Sequence, residues 1–351
     1  MWRGVPRREE RHGIRLHHPR YFLLPKISML AAPYSLFLSA RRCLSELLES
    51  GLSFDAIDAH YFYPDGVAAI LLGRHFGKPV TITARGSDIN IIGRYRLPQR
   101  MISWAGREAT AVIAVCEALR NSLIAMDVPG SKIRVLRNGV DLATFRPGDR
   151  SAARRRLGIS APMLLSVGNL IPLKGHDLAI EALRRLPEMQ LVIVGDGPER
   201  SRLEQIATRN QVAQRVRFLG RVAHEALAEI YSAADATLLL STNEGWANVL
   251  LESMACGTPV VATDTGGTPE VVGSPAVGQL VRERNAAAVA GAVSALFMRQ
   301  PDRQAVRSYA EGFSWDATTR GQLSLFEDII GGRLSPPVAP GWPAEVPAGP
   351  R

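Results

Sequence analysis

From about residue 55 the chain alternates short apolar runs with stretches whose apolar positions recur every three or four residues. The first kind fits buried strands, the second amphipathic helices. "FDAIDAH" (54–60) reads as a strand, and the stretch from Asp65 to Phe76 as a helix. "KPVTITAR" (78–85) is strand-like, and a helix is expected over 98–109, opening at Pro98. "AVIAVC" (111–116) predicts a buried strand, 117–126 a helix, and "KIRVLRN" (132–138) the next strand. Such alternation predicts a parallel sheet covered by helices.

The pattern breaks at 138–162, "NGVDLATFRPGDRSAARRRLGISAP", which is rich in turn formers and charge and reads as a connection between domains. It restarts with strands expected at "MLLSVG" (163–168), "QLVIVG" (190–195), "RVRFLG" (215–220), "ATLLLS" (236–241) and "PVVA" (259–262). Amphipathic helices such as 175–186 and 199–209 lie between them. The expected fold class is α/β, with two doubly wound, Rossmann-like domains facing across a cleft, residues 1–145 and 146–330. The tail, 331–351, is dominated by Pro, Ala and Gly towards its end and is expected to be disordered. Ligands of such folds bind at the carboxyl ends of strands, which puts the expected site in the cleft.

Two segments sit outside this pattern. "ISMLAAPYSLFLSA" (27–40) follows an arginine-rich start and is shorter than the ~20 apolar residues that a membrane-spanning helix needs. Ordinary core is the leading reading, and a signal or anchor segment and a helix lying on a membrane stay open. "RLPQRMISWAGREA" (96–109) mixes Arg96, Arg100 and Arg107 with Met101, Ile102 and Trp104. A normal helix with solvated arginines is the leading reading, and a contact with anionic lipid the alternative.

Composition narrows the partners. The net charge of +9 favours anionic ones, such as nucleotides, phospholipid surfaces or nucleic acid, with an arginine-rich coding bias as the competing source of that charge. Only 6% of residues are aromatic and no run interleaves them with basic residues, which argues against a nucleic-acid surface. The three cysteines, Cys43, Cys116 and Cys256, are far apart and form no CxxC, so neither a zinc site nor a disulfide framework is indicated. A reducing cytoplasm fits.

The most informative stretch is "NEGWANVLLESMACGTPVVA" (243–262). If a helix begins near Gly245 or Trp246, then Glu244, Asn248 and Glu252 lie four apart on one face. The remaining faces carry Val249, Leu250, Leu251 and Met254, so the helix should be buried. Buried carboxylates are costly without hydrogen bonds. A stripe facing a polar ligand explains them, and the competing reading makes Glu244 a helix N-cap and Glu252 an internal ion-pair partner. A helical path puts Glu252 roughly 12 Å beyond Glu244. The first-turn N–H groups between the two carboxylates form an anion site. A nucleotide sugar presents sugar hydroxyls, a diphosphate and ribose hydroxyls in the same order.

Three neighbouring loops add to this. "SVGNLIPLKGHD" (166–177) is a strand, a turn at Gly168 and Asn169, and a helix start carrying Lys174. Glycine lets the backbone approach a phosphate, and the lysine can neutralise it. "VIVGDGPER" (192–200) repeats the design with Gly195 and Gly197, although packing and turn formation account for these glycines equally well. "ATDTGGTPEVV" (262–272) offers Gly266 and Gly267 either to a ligand or simply to the turn.

Together these segments resemble the retaining glycosyltransferases of family 4, which have the GT-B fold. "EGWANVLLE" carries the family's E-x7-E motif at Glu244 and Glu252, and "VLRNGVDLATFRP", "VGNLIPLKG" and "GTPVVATDTGGTPEVV" follow the family's pattern in its order. The resemblance covers residues 55–330. It implies a hexosyltransferase that moves a hexose from a nucleoside diphosphate sugar to a hydroxyl of a glycan or lipid-linked acceptor. Glu244 would contact the transferred sugar, Glu252 the ribose, and Lys174 the diphosphate. The main chain through Gly245, Trp246, Ala247, Asn248 and Val249 would hold the phosphates and sugar, and residues 217–224, Arg221 among them, would lie beside the nucleobase. Asn169 stands where the family commonly has arginine, and a neutral donor bonds phosphate more weakly than a charged one.

The resemblance also implies retention on one face of the sugar, the leaving phosphate helping to deprotonate the acceptor. Glu244 is therefore not assigned as a nucleophile. Lys174 and the helix N–H groups would stabilise the departing diphosphate, so no cofactor and no metal is expected. On the acceptor side, "DAHYFYPDGVAA" and "TITARGSD" place His60, Arg85 and Asp88 at strand ends, with Arg85 where many members have histidine. For His60 a hydrogen-bonded strand-end histidine competes evenly with a ligand role. Residues 1–20 contain no strand-and-glycine-loop unit, so the first domain is expected to be incomplete. Two other classes stay open: a non-catalytic sugar-nucleotide-binding protein and a nucleotide-sugar epimerase of the same fold. The expected setting is cytoplasmic, with peripheral contact at the inner face of a membrane.

Overall fold

A computed structural model describes residues 4–22 and 28–334. The Pro-rich residues 335–351, read as disordered, lie outside the described residues, as do 23–27 at the start of the apolar segment. The chain divides into two compact units. Of the described residues, the first takes those up to Ala114, Arg120–Arg134 and 323–334. The second takes Val115–Leu119 and Val135–Gln322.

The first unit opens on a hairpin of β1 (Arg8–Arg11) and β2 (Ile14–His17), joined through His12 and Gly13. Both turn residues have positive φ, 52° and 79°, as a two-residue hairpin turn requires. Helix α1 (Ser28–Glu49) follows. Then come β3 (Ile57–His60), α2 (Val67–Phe76), β4 (Val80–Ala84), α3 (Ser87–Asn90), α4 (Arg96–Glu108), β5 (Ala111–Ala114), α5 (Glu117–Ala125) and β6 (Ile133–Val135). Strands β3 to β6 form a four-stranded sheet in sequential order, and β3, β4 and β5 pair in parallel. Every residue of β4 and β5 is buried, as expected for strands covered on both faces. Helix α4 starts at Arg96, so Pro98 sits in its first turn, where the missing N–H costs nothing.

The second unit begins with α6 (Arg150–Leu157), inside the segment read as a connection. Its sequence, "RSAARRRL", has no apolar face to betray it. Asp149 caps it by accepting from the Ala152 N–H, left-handed Gly158 ends it, and three arginines in its last turn suit the helix dipole. Arg150 and Arg154 also pair with Asp235. The unit continues with β7 (Met163–Val167), α7 (His176–Ala182), β8 (Gln190–Val194), α8 (Arg200–Arg209), β9 (Val216–Gly220), α9 (Leu227–Ala233), β10 (Ala236–Leu239), α10 (Asn248–Ala255), β11 (Val260–Thr263), α11 (Thr268–Val271) and β12 (Gly278–Val281). Helices α12 (Ala286–Arg299), α13 (Arg303–Glu311) and α14 (Trp315–Ile330) close the described chain.

These six strands make one parallel sheet in the order β12-β11-β10-β7-β8-β9. This is the doubly wound Rossmann arrangement, in which the direction of winding reverses between the first and fourth strands, here β7 and β10. The core comes from the strands, with Leu164, Leu191, Ile193, Leu238 and Val261 against Ile180, Leu203 and Val293 of the covering helices. The loops that carry Lys174 and Glu244 leave the carboxyl ends of β7 and β10, the two strands at that reversal.

Candidate functional site

Lys174 ends a short 3-10 turn, Pro172–Lys174, just after β7. Its Nζ lies 2.7 Å from Glu244 Oε1, and the Ser241 hydroxyl donates to the same oxygen at 2.6 Å. The Thr242 N–H donates to the Leu173 carbonyl at 2.9 Å, joining the two loops. Gly175 has φ 69°, and a Cβ there would lie 2.2 Å from the Leu240 carbonyl oxygen. Only glycine lets the β7 loop pass this close to the end of β10.

The structure corrects the expected start of the motif helix. Helix α10 begins at Asn248, so Glu244 lies in the preceding loop and the Glu244–Asn248–Glu252 stripe is helical only from Asn248 to Glu252. The ~12 Å helical spacing therefore does not apply. The contacts of the loop explain this. Ser241 and Lys174 hold the Glu244 side chain, and the Cys116 thiol lies 3.2 Å from the Gly245 carbonyl oxygen. A Cβ at Gly266 would lie 1.9 Å from the Glu244 carbonyl oxygen, and one at Gly267 2.3 Å from that of Gly245. The Gly266-Gly267 pair is thus small because the Glu244 loop passes over it. Trp246 and Ala247 are buried, so from this stretch the main chain is what remains for a ligand. No side chain caps α10, and Asn248 at its first position is exposed, while residues 250–255 are buried. The Asn248 and Leu250 N–H groups donate to the Trp246 and Ala247 carbonyls, so what this end of the helix offers a ligand is its positive dipole end and the Val249 N–H. From the other end, Arg307 donates to the Ala255 carbonyl and Arg303 to the Cys256 carbonyl, satisfying carbonyls at the helix's negative end.

Glu252 is buried with two partners that the sequence did not reveal. The Tyr231 hydroxyl donates to Oε2 at 2.9 Å, and His224 Nε2 is 3.2 Å from Oε1. Burial first, then the Glu252 charge, holds the Tyr231 phenol well above its ordinary pKa, so it stays a donor. The exposed His224 ring meets Phe145 edge-on at 5.0 Å. His224 and the exposed Arg221 both lie in the loop after β9.

The glycines after β7 and β8 serve each other. Gly168 has φ 153° and Gly195 φ 139°, and a Cβ on Gly195 would come within 1.8 Å of the Gly168 carbonyl oxygen. A Cβ on Gly197 would lie 2.5 Å from that of Leu170. The Gly168, Leu170 and Gly195 N–H groups donate to Val194, Asp196 and Gly220, lacing three strand ends together. Close packing requires glycine at 195 and 197, and the positive φ favours it at 168. Asn169 is exposed on the outer edge of this lacework. Beneath it sits His176, which sequence reasoning missed. Its Nδ1 is 2.8 Å from Ser166 Oγ, and its Nε2 3.3 Å from the Asn169 carbonyl. A tautomer protonated at Nε2 satisfies both, the Ser166 hydroxyl donating to Nδ1. Burial lowers the His176 pKa, which keeps the ring neutral.

In the first unit, Arg85 lies beside His60, with its guanidinium 2.8 Å from Nδ1, and His60 Nε2 is 3.3 Å from Asp58 Oδ2. Donation by arginine leaves Nδ1 as the acceptor and puts the ring proton on Nε2, facing Asp58. Asp88 is at the end of β4 as expected, and its buried side chain accepts from the Phe62, Arg85 and Gly86 N–H groups, so it organises the turn after that strand. Burial pushes its pKa up, against those N–H bonds.

Among the described residues no group of three or more His, Cys, Asp or Glu side chains could hold a metal ion, and no helix is long and apolar enough to cross a membrane. Two family models match: glycosyltransferase family 4 over residues 1–144 and glycosyl transferases group 1 over 149–313. A D-inositol 3-phosphate glycosyltransferase of Mycobacteroides abscessus is 37% identical over 303 residues, 81% of this chain and 68% of the relative. One of Frankia alni is 36% identical over 309 residues, 79% and 75% of the two chains. Among solved structures, sucrose-phosphate synthase of Thermosynechococcus elongatus superposes with a TM-score of 0.83 at 22% identity, covering 94% of this chain and 87% of the other. Anabaena HepE in complex with UDP-glucose gives 0.75 at 22% identity, covering 85% and 84%. The two Rossmann-like sheets and these likenesses define a glycosyltransferase of the GT-B fold. The chain belongs to glycosyltransferase family 4.

Proposed function

We propose that this protein transfers a hexose, with retention, from a nucleoside diphosphate sugar to a hydroxyl of a glycan or lipid-linked acceptor. One observation carries the reading: the Lys174–Glu244 pair sits at the strand reversal of the second sheet, beside the uncapped N-terminus of α10. Cleavage of a sugar–phosphate bond builds positive charge at the anomeric carbon and negative charge on the departing diphosphate. Lys174 and the positive end of the α10 dipole supply fixed positive charge for the second, and Glu244 an anionic acceptor for the hydroxyls of the first. Glu252, oriented by Tyr231 and His224, would take the ribose. Asn169 would add a neutral hydrogen bond to the phosphates, with Gly168 and residues 245–249 giving main-chain contacts and Arg221 lying near the base.

These protein charges act as the electrophilic catalyst, and we read the reaction as independent of metal and cofactor. HepE was crystallised with UDP and UDP-glucose, which supports a nucleotide-sugar donor here. The relatives' names make a phosphorylated polyol an acceptor to include beside glycans and lipids. Arg85 and His60 are the acceptor-side groups in this reading. Asp88 acts through the turn that holds Arg85. The setting is the cytoplasm, with peripheral membrane contact giving access to a lipid-linked acceptor. The test is NMR of the product formed from α-linked nucleotide sugars. An α-linked product supports retention, and a β-linked one overturns it.

A further inference from the structure

The first unit carries a cavity lined by none of the residues assigned to the donor. It measures about 470 Å³ and lies between the β1–β2 hairpin and α1. Arg7, Arg8, His17, Arg20 and Arg42 line it, and Glu46 is the acidic side chain among its described lining residues. Hairpin register puts Arg8 opposite His17, on one face of the ribbon. The chain after β2 is pinned along α1: Ser39 Oγ donates to the Arg20 carbonyl at 2.8 Å, and the Phe22 N–H donates to Ser35 Oγ at 2.9 Å. Four guanidinium groups facing one carboxylate, which Arg42 already engages at 3.1 Å, leave a net positive cavity. Arginine clusters of this kind recognise phosphate oxygens.

The surface beside the cavity says which phosphate. Leu30, Tyr34, Leu38 and Arg42 are the exposed residues at successive i+4 positions of α1. At ~100° per residue such a stripe drifts by about 40° each step, so it winds from apolar surface onto the cavity rim at Arg42. Phe22, held against the same helix through Ser35, is 86% exposed. An apolar stripe leading into an arginine-lined cavity matches acyl chains and phosphate of an anionic bilayer. We propose that this cavity binds the headgroup phosphate of an anionic phospholipid, with Leu30, Tyr34, Leu38 and Phe22 entering the bilayer surface. The proposal rests on the peripheral-contact part of the reading above and not on its donor chemistry.

The test is sedimentation of the full chain with phosphatidylcholine vesicles, with and without phosphatidylglycerol. Binding is expected only with the anionic lipid and should weaken with salt. At ~1 kcal/mol per arginine near such a surface, about fivefold each, R8Q/R42Q should bind roughly 25-fold more weakly. F22S/L38S should also weaken binding. Both variants should keep wild-type nucleotide release with a soluble acceptor, so failure of vesicle binding and failure of transfer are separate results. Equal binding to both vesicle types, or undiminished binding by R8Q/R42Q, overturns the proposal. Saturable binding of inorganic phosphate that depends on Arg8 and Arg42, without vesicle binding, assigns the cavity to a free phosphate and also overturns it.

Discussion

Replacing either member of the Lys174–Glu244 pair should move nucleotide affinity in opposite directions. Glu244 pairs with Lys174 at 2.7 Å, with side chains 12% and 24% exposed. A diphosphate must therefore share the lysine with the carboxylate. Lys174→Ala removes one charge-assisted bond to the phosphates, worth about 1.5–3 kcal/mol, or roughly 10–100-fold in affinity for a nucleoside diphosphate. Losing an electrostatic donor at the leaving group should also cut kcat by about 10²–10³. The same change takes the ion-pair partner from Glu244, which keeps its bond from the Ser241 hydroxyl. That costs about 1–2 kcal/mol after discounting for solvent access, a Tm fall of roughly 2–8 °C for a unit of this size. Glu244→Gln instead frees the lysine, so nucleotide affinity should hold or rise while kcat falls. Calorimetric titration with UDP and other nucleoside diphosphates reads the first effect and steady-state kinetics the second. If Glu244→Gln weakens nucleotide binding as much as Lys174→Ala does, Lys174 is only a structural partner of Glu244 and the assignment fails.

Other substitutions probe the supports of the site. Tyr231→Phe removes the 2.9 Å bond to Glu252 and should cost about 1–3 kcal/mol in stability, with KM for the donor rising more than kcat falls; an unchanged KM argues against Glu252 as a ribose ligand. Gly266→Ala puts a methyl where the Glu244 carbonyl oxygen lies 1.9 Å away, at φ 53°, so activity should drop sharply even in preparations whose circular dichroism matches wild type. His176 has a folded pKa lowered by burial, so the unfolded chain binds its proton more readily and stability is lost as pH falls through about 6.5. His176→Asn should therefore flatten the fall in Tm between pH 7 and 5, and an equally steep fall would remove His176 from the account.

The sheet of each unit was legible because buried parallel strands are nearly continuous apolar runs, as in "MLLSV" and "QLVIV". The chemistry at Lys174, Glu244 and Glu252 was legible from residue type and spacing. The start of α10 was not, since Trp246 to Met254 is apolar on most faces and periodicity cannot show where such a helix begins. What stops it at Asn248 is long-range: Lys174, Cys116 and the Gly266-Gly267 turn hold the preceding loop. The partners of Glu252 come from α9 and the loop after β9, which no local pattern links to α10. Asp88 shows a different limit. Arg85 and Gly86, two of its N–H donors, are its neighbours, so the spacing suited a turn as well as a ligand, and the buried side chain serves the turn. The β1–β2 hairpin, "REERHGIRLH" (8–17), escaped because β1, "REER", has no apolar residue and the alternation in β2, "IRLH", is only four residues long.

The most direct test of the central claim follows nucleotide release from a panel of nucleoside diphosphate sugars, with and without membrane extract or a phosphorylated polyol. The expected result is release from one donor that depends on an acceptor, yields a glycosylated product, and is lost in Lys174→Ala. Donor consumption that is indifferent to acceptor, or nucleotide binding without any release, would contradict it in favour of an epimerase or a binding protein respectively.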